Sequence, residues 1–165
     1  MNNDYIQYPD NAKVWIYQSD HHFNEDEKKH IQISIDDFID TWESHGNMVK
    51  GTFTILYDAF IVLFVDEQGD TMCGRAQDAS VKLMKELEQE LELSLLDRTN
   101  QSYKEDEKAV LVKLNDFETL YNDNKINDET IVFNNTITTK KEFDTTWELP
   151  LKNSWHKQLV GITTN

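Results

Sequence analysis

Glycine and proline are scarce in this chain, with five and two copies among 165 residues. It contains neither a Gly-x-x-x-x-Gly-Lys-[Ser/Thr] stretch nor a Gly-x-Gly-x-x-Gly stretch, so the backbone loops that cradle phosphates in the common nucleotide-binding folds are missing. The Gly-x-Ser-x-Gly elbow and the His-Glu-x-x-His helix are missing too, which removes the common serine-hydrolase and zincin readings. Cysteine occurs once, at Cys73, and allows no disulfide within the chain. Bases are few, with 16 Lys and Arg against 31 Asp and Glu and a formal charge of −15. A field of that sign repels phosphate backbones and anionic headgroups, so neither nucleic acid nor membrane is an expected partner. The longest apolar run, Ala59 to Val65, has seven residues, against roughly 20 for a helix that spans a bilayer. Met1 to Tyr5 lacks the basic and apolar regions of a secretory signal, and the cytoplasm is the expected compartment.

The acid is unevenly placed. Residues 131–165 hold four lysines against three acids, a net +1, so the first 130 residues carry −16. Most of that acid reads as a solvated surface, with a basic protein or a cation as the alternative use. No repeat, low-complexity tract or Pro/Gly/Ser linker interrupts the chain, and its length suits one domain with its own core.

Along that chain, Lys13 to Ser19 reads as a strand apolar on both faces, Val14 and Ile16 on one and Trp15 and Tyr17 on the other. Asn24 with Glu27 predicts a reciprocally capped helix whose stripe is Ile31, Ile35, Phe38, Ile39 and Trp42, with Gly46 as its stop. Thr52 to Tyr57 alternates, turns near Asp58 and meets the apolar run Ala59 to Val65, an antiparallel hairpin. Asp78 reads as the cap of a second helix with Val81, Met84, Leu87 and Leu91 inward, and Ala109 to Leu114 as a further strand.

The order strand, helix, strand, strand, helix, strand predicts an α+β fold, a ferredoxin-like βαββαβ antiparallel sheet with helices on one face, over residues 1–114. Residues 115–165 are an expected C-terminal extension of the same domain. It carries an Asn115/Glu118 capping box, a small hairpin of Thr130 to Phe133 and Thr136 to Thr138 about Asn134-Asn135, and a Thr139/Glu142 cap leading to Phe143 and Trp147. Trp147 and Trp155 need apolar surface, and the Trp15/Tyr17 face is the expected dock.

The chemistry-bearing residues gather after the apolar strand. Asp66 and Glu67 stand where a buried strand emerges into solvent, a place where carboxylates do acid/base work, and His45 or His156 is the histidine that could complete such a pair. Cys73, Arg75, Asp78 and Ser80 follow across a loop as candidate binding groups, the arginine favouring a thiolate at Cys73. The structural alternatives are a simple turn at Asp66 to Gly69 closed by an Asp66–Arg75 pair, an N-cap at Asp78 and a loop thiol at Cys73. The histidines make no convincing metal set, and neither metal nor cofactor is expected.

Three segments carry a resemblance: Asn11-Ala-Lys-Val-Trp-Ile-Tyr-Gln-Ser19, the stretch from Val65-Asp-Glu67 to Asp78-Ala-Ser-Val81, and Val132-Phe-Asn-Asn135 through Trp147-x-x-Pro150 to Ser154-Trp-His156. Over nearly its whole length the chain resembles small Bacteroidota proteins that carry the automatic label "ABC transporter ATPase". In those proteins the crossover loop tends to read Ser-Gly-Cys-Ser-Ile-Asp; here it is Met72-Cys-Gly-Arg-Ala-Gln-Asp78, with thiol and glycine exchanged and an arginine added. The label conflicts with the chemistry, since a transporter ATPase needs a phosphate-binding loop that the chain lacks. The resemblance therefore implies no established activity and transfers no catalytic residue. The expected function is a non-enzymatic cytoplasmic module that binds a protein or small molecule, the alternative being a small hydrolase using Asp66 and Glu67 with a histidine.

Overall fold

A computed structural model describes residues 4–69 and 71–161. The fold is mixed α+β with antiparallel sheets. Its first sheet holds β1 (Lys13–Gln18), β4 (Lys50–Leu56) and β5 (Phe60–Asp66) in the order β1-β5-β4. The most apolar strand, β5, is central because both of its faces are covered: Ile61, Leu63 and Val65 lie in one cluster, and Phe60, Val62 and Phe64 in another. Burying each such side chain stabilises the fold by about 1.5 to 3 kcal/mol.

Two helices cover the first face, α1 (Glu25–Thr41) and α2 (Gly74–Leu91), with Ile31, Ile35, Met84 and Leu87 packed on Tyr17, Phe53 and Ile55. The α1 start is the expected capping box: the Glu27 N–H donates to Asn24 Oδ1 at 2.8 Å and the Asn24 N–H to Glu27 Oε1 at 2.9 Å. Its end comes earlier than Gly46 suggests. Trp42 caps it, buried over Gly51, where an added Cβ would lie 3.1 Å from the indole, and its indole N–H donates to the Ala76 carbonyl. Gly46 instead serves a minute hairpin of β2 (Glu43–Ser44) and β3 (Asn47–Met48), in which His45 and Gly46 both take positive φ (53° and 77°), the requirement of a tight two-residue turn.

The second helix also departs from expectation. It begins at Gly74 with Cys73 as cap, so Asp78 is an exposed residue within it and not its cap. The inward stripe is then Ala76, Ser80, Met84 and Leu87, which leaves Val81 37% exposed and off the stripe.

The expected fourth strand does not join the first sheet. It forms β7 (Lys108–Lys113), which pairs with β6 (Asn100–Glu105) through a two-residue turn in which Asp106 and Glu107 both take positive φ. Both belong to a second sheet of order β7-β6-β8-β9, with β8 (Ile131–Phe133) and β9 (Glu148–Pro150). The vacant edge of β1 is filled instead by residues 138–139, where the Val14 N–H donates to the Thr138 carbonyl and Lys13 bridges Thr139. The sheet therefore departs from the ferredoxin-like order at its fourth strand, and Thr136 to Thr138 are not the partners of β8, which pairs with β9. The Tyr103↔Val132 pairing crosses residue 114, the boundary expected between a first unit and an extension.

On this second sheet lie α3 (Asp116–Asn122) and a 3-10 turn, Trp155–Val160, around Tyr103, Phe117, Ile126, Val132 and Leu151. Helix α4 (Lys140–Thr146) starts at the expected Thr139 cap. Phe133, Ile137 and Trp147 then dock on Val14, Phe60, Val62 and Phe64. The tail thus covers the Val14/Ile16 face, while Trp15 and Tyr17 face the helices, the reverse of the expected assignment. Among the described residues no helix is long and apolar enough to cross a membrane.

Candidate functional site

The β2–β3 hairpin leans toward the loop that leaves β5, and between them is a cavity of about 370 Å³ lined by residues 44–45 and 47–50 of the hairpin side and by Val65, Asp66, Glu67, Gln68, Thr71 and Met72. A second cavity of about 260 Å³ shares Asp66, Glu67 and Gln68 and reaches Asn11. The Asp66 loop therefore borders open volume, and three of the expected residues, His45, Asp66 and Glu67, line the same space.

Each is partly engaged with its own surroundings. Asp66 accepts the Gln68 N–H at 3.0 Å, which tightens the turn, and its other oxygen lies 3.4 Å from the Lys50 ammonium, so its cation is Lys50 and not Arg75. Glu67 accepts the Met72 N–H at 2.6 Å and closes the loop. The His45 ring sits 3.1 Å from the Thr71 carbonyl, a contact in which Nε2–H donates. What remains is a concave, mainly polar surface in which Met48, Val49, Val65 and Met72 form the apolar part and two carboxylates, Lys50 and His45 the charged and titratable part.

Cys73 stands beside this cavity. Its N–H donates to Ser44 Oγ at 2.9 Å, fixing the hairpin to the start of α2. The thiol is lowered to about 7, by the Ser44 hydroxyl first and then by the backbone N–H groups of Ala76 and His45. Such a thiol is appreciably ionised at neutral pH. No sequence signal had marked Ser44, Met48 or Lys50; the available one was His45-Gly46, where glycine permits the turn that brings them round.

The remaining expected residues are placed elsewhere. His156 is wholly buried in the second sheet, Nδ1 2.6 Å from Ser154 Oγ and Nε2 2.8 Å from Gln101 Oε1, with the Trp155 ring stacked on it at 4.0 Å. Burial lowers its pKa to about 4, so it is a neutral structural group and not a partner of Asp66. Ser80 is buried on the inward face of α2, donating to the Gln77 carbonyl. Arg75 and Asp78 are exposed on α2. Among the described residues no three His, Cys, Asp or Glu side chains converge as a metal-binding set. Comparison with protein-family models, curated protein sequences and solved structures finds no significant match.

Proposed function

We propose that the protein is a binding module whose site is the cavity between the β2–β3 hairpin and the Asp66 loop, and that it takes a cationic head on a short apolar body. The supporting observation is the composition of that cavity: Met48, 55% exposed, together with Met72 offers apolar contact, and Asp66 and Glu67 oppose a single ammonium, Lys50. A chain of charge −15 favours a cation there at long range as well. An amine or guanidine can arrive free or as a lysine or arginine side chain of a partner protein, and the chemistry recognised is the same. A cytoplasmic setting accords with the lone thiol, and the absent phosphate loop argues against ATP as the ligand.

Titrating butylamine and, separately, a short lysine-containing peptide while following backbone amide signals separates the two sources. Shifts confined to residues 44–50 and 66–73, weakened by Asp66→Asn, support the site; shifts spread evenly over the acidic surface refute it. The small-hydrolase alternative rests on His45 sharing the cavity with both carboxylates. Ester or amide turnover lost in both Asp66→Asn and His45→Gln would favour that reading over the module.

A further inference from the structure

The second sheet ends on β7, whose outer edge has no neighbouring strand among the described residues. Because the Asp106-Glu107 turn is closed by Glu105 and Lys108, the pairs 105/108, 103/110 and 101/112 exchange both ladder bonds, and the Leu114 N–H donating to the Thr99 carbonyl continues the same alternation. Ala109, Leu111 and Lys113 therefore turn their backbone groups outward. Two of these groups are met from within the chain: the His22 Nε2–H donates to the Ala109 carbonyl at 2.7 Å, and the Lys113 N–H donates to Asp116 Oδ2 at 2.8 Å. Between them, no group among the described residues meets the Leu111 N–H or carbonyl. A single open residue flanked by two plugs is a sheet edge protected at its ends.

Beside this edge lies a cavity of about 540 Å³, walled by Ala109, Val110 and Leu111 and rimmed by Asp20, Glu105 and Asp106. The rim has more acid than base, Lys108 being the one ammonium lining it. We propose that β7 accepts an extended segment of a basic partner protein as an added strand. One residue of that segment exchanges both backbone hydrogen bonds with Leu111, and a lysine or arginine toward the turn lies against Asp20 and Asp106. A second copy of this chain is the poorer occupant, since it brings another −15 to an acidic rim. His22 limits the length of the pairing by holding the Ala109 carbonyl, so extending it requires the imidazole to swing away. This surface is separate from the cavity at Asp66, and the proposal stands or falls independently of the ligand assigned there.

The test uses the full chain and a seven-residue peptide alternating valine with lysine and threonine, followed by the amide signals of Ala109 and Leu111. Binding should weaken about tenfold when the peptide residue opposite Leu111 is N-methylated, which removes its donor. It should weaken with Asp106→Lys and strengthen with His22→Ala, which frees the Ala109 carbonyl. N-methylation of the peptide and His22→Ala leave the β6–β7 ladder untouched, whereas Asp106→Lys also replaces a turn residue of positive φ. Equal binding of the methylated peptide, no shift at Leu111, or a concentration-dependent dimer that excludes the peptide would each overturn the proposal.

Discussion

The two sheets are held together by different physics. In the first, β5 is apolar along its length and both faces close over it with Ile, Leu, Val and Phe. In the second, β6 reads Asn-Gln-Ser-Tyr-Lys-Glu, yet its first four residues are buried. Hydrogen bonds permit this. Gln18 Nε2 donates to the Gln101 carbonyl at 2.8 Å, Gln18 Oε1 accepts from Ser102 Oγ and Asn135 Nδ2, and Gln101 Oε1 accepts from His156. A buried polar strand depends on its hydrogen-bond partners for stability, so the second sheet is specified by long-range pairs where the first is specified by pattern. One atom is left over, Asn100 Nδ2, which is buried and meets no partner among the described residues.

The largest effect is expected from a cavity on the face of the first sheet that the tail covers. Phe64 is fully buried, stacked on Tyr5 with ring centres 4.6 Å apart and set edge-on to Phe143. Phe64→Ala should cost about 3 to 5 kcal/mol, as for other large-to-small core changes. If the sheets are packed as one core, chemical denaturation of this variant will show a single shifted transition by both tryptophan fluorescence and circular dichroism. Two transitions, one unshifted, would show that the second sheet stands without the first.

The polar side of the comparison is tested by acid. The unfolded chain protonates an ordinary histidine near 6.5, whereas folded His156 takes a proton only near 4. The unfolded state therefore binds the extra proton across that window. Stability from this group is complete above about pH 6.5, declines as pH falls toward 4 and then levels, a loss of about 3 kcal/mol in all. The carboxylates also titrate there, so the quantity to measure is the difference in acid sensitivity between the wild type and His156→Gln. Parallel curves would mean that the imidazole is already solvated. Gln101→Ala should lower stability by about 1 to 3 kcal/mol, by leaving the imidazole N–H and the Arg98 carbonyl unmet.

This difference explains what could be read in advance. The Asn24/Glu27 box, the α1 stripe, the β4–β5 hairpin and the Thr139 cap all follow from local periodicity or a side chain three residues from its backbone partner. β6 left no such trace, because Gln101 and Ser102 are polar and their partners lie 55 to 84 residues away. Its turn, Asp106-Glu107, carries no glycine or asparagine to announce positive φ. Without β6 in view, β7 read as the fourth strand of the first sheet. The site was legible in half: a buried strand ending in Asp66-Glu67 pointed to the loop, and His45 to the hairpin, but His156 looked equivalent to His45 until burial separated them.

The smallest effect concerns Cys73, the thiol beside the candidate site, and it asks whether the hairpin is seated on α2 as firmly as the two sheets are on each other. An unperturbed thiol would ionise near 9, whereas the Ser44 hydroxyl and the amides of Ala76 and His45 bring Cys73 to about 7 by stabilising the anion. Only the thiolate reacts with iodoacetamide, so the alkylation rate of native protein should rise with pH to a midpoint near 7 and then level, with no further rise through 9. Ser44→Ala removes the largest of these contributions and should move the midpoint upward while the fold persists, because Ser44 is a half-buried residue in a two-residue strand. Since Ser44 also holds the Cys73 N–H, the same variant should loosen the hairpin and weaken any ligand bound against Met48. A midpoint near 9 in the wild type would mean that the hairpin does not rest on the start of α2 in solution, and the cavity between them would lose one of its walls.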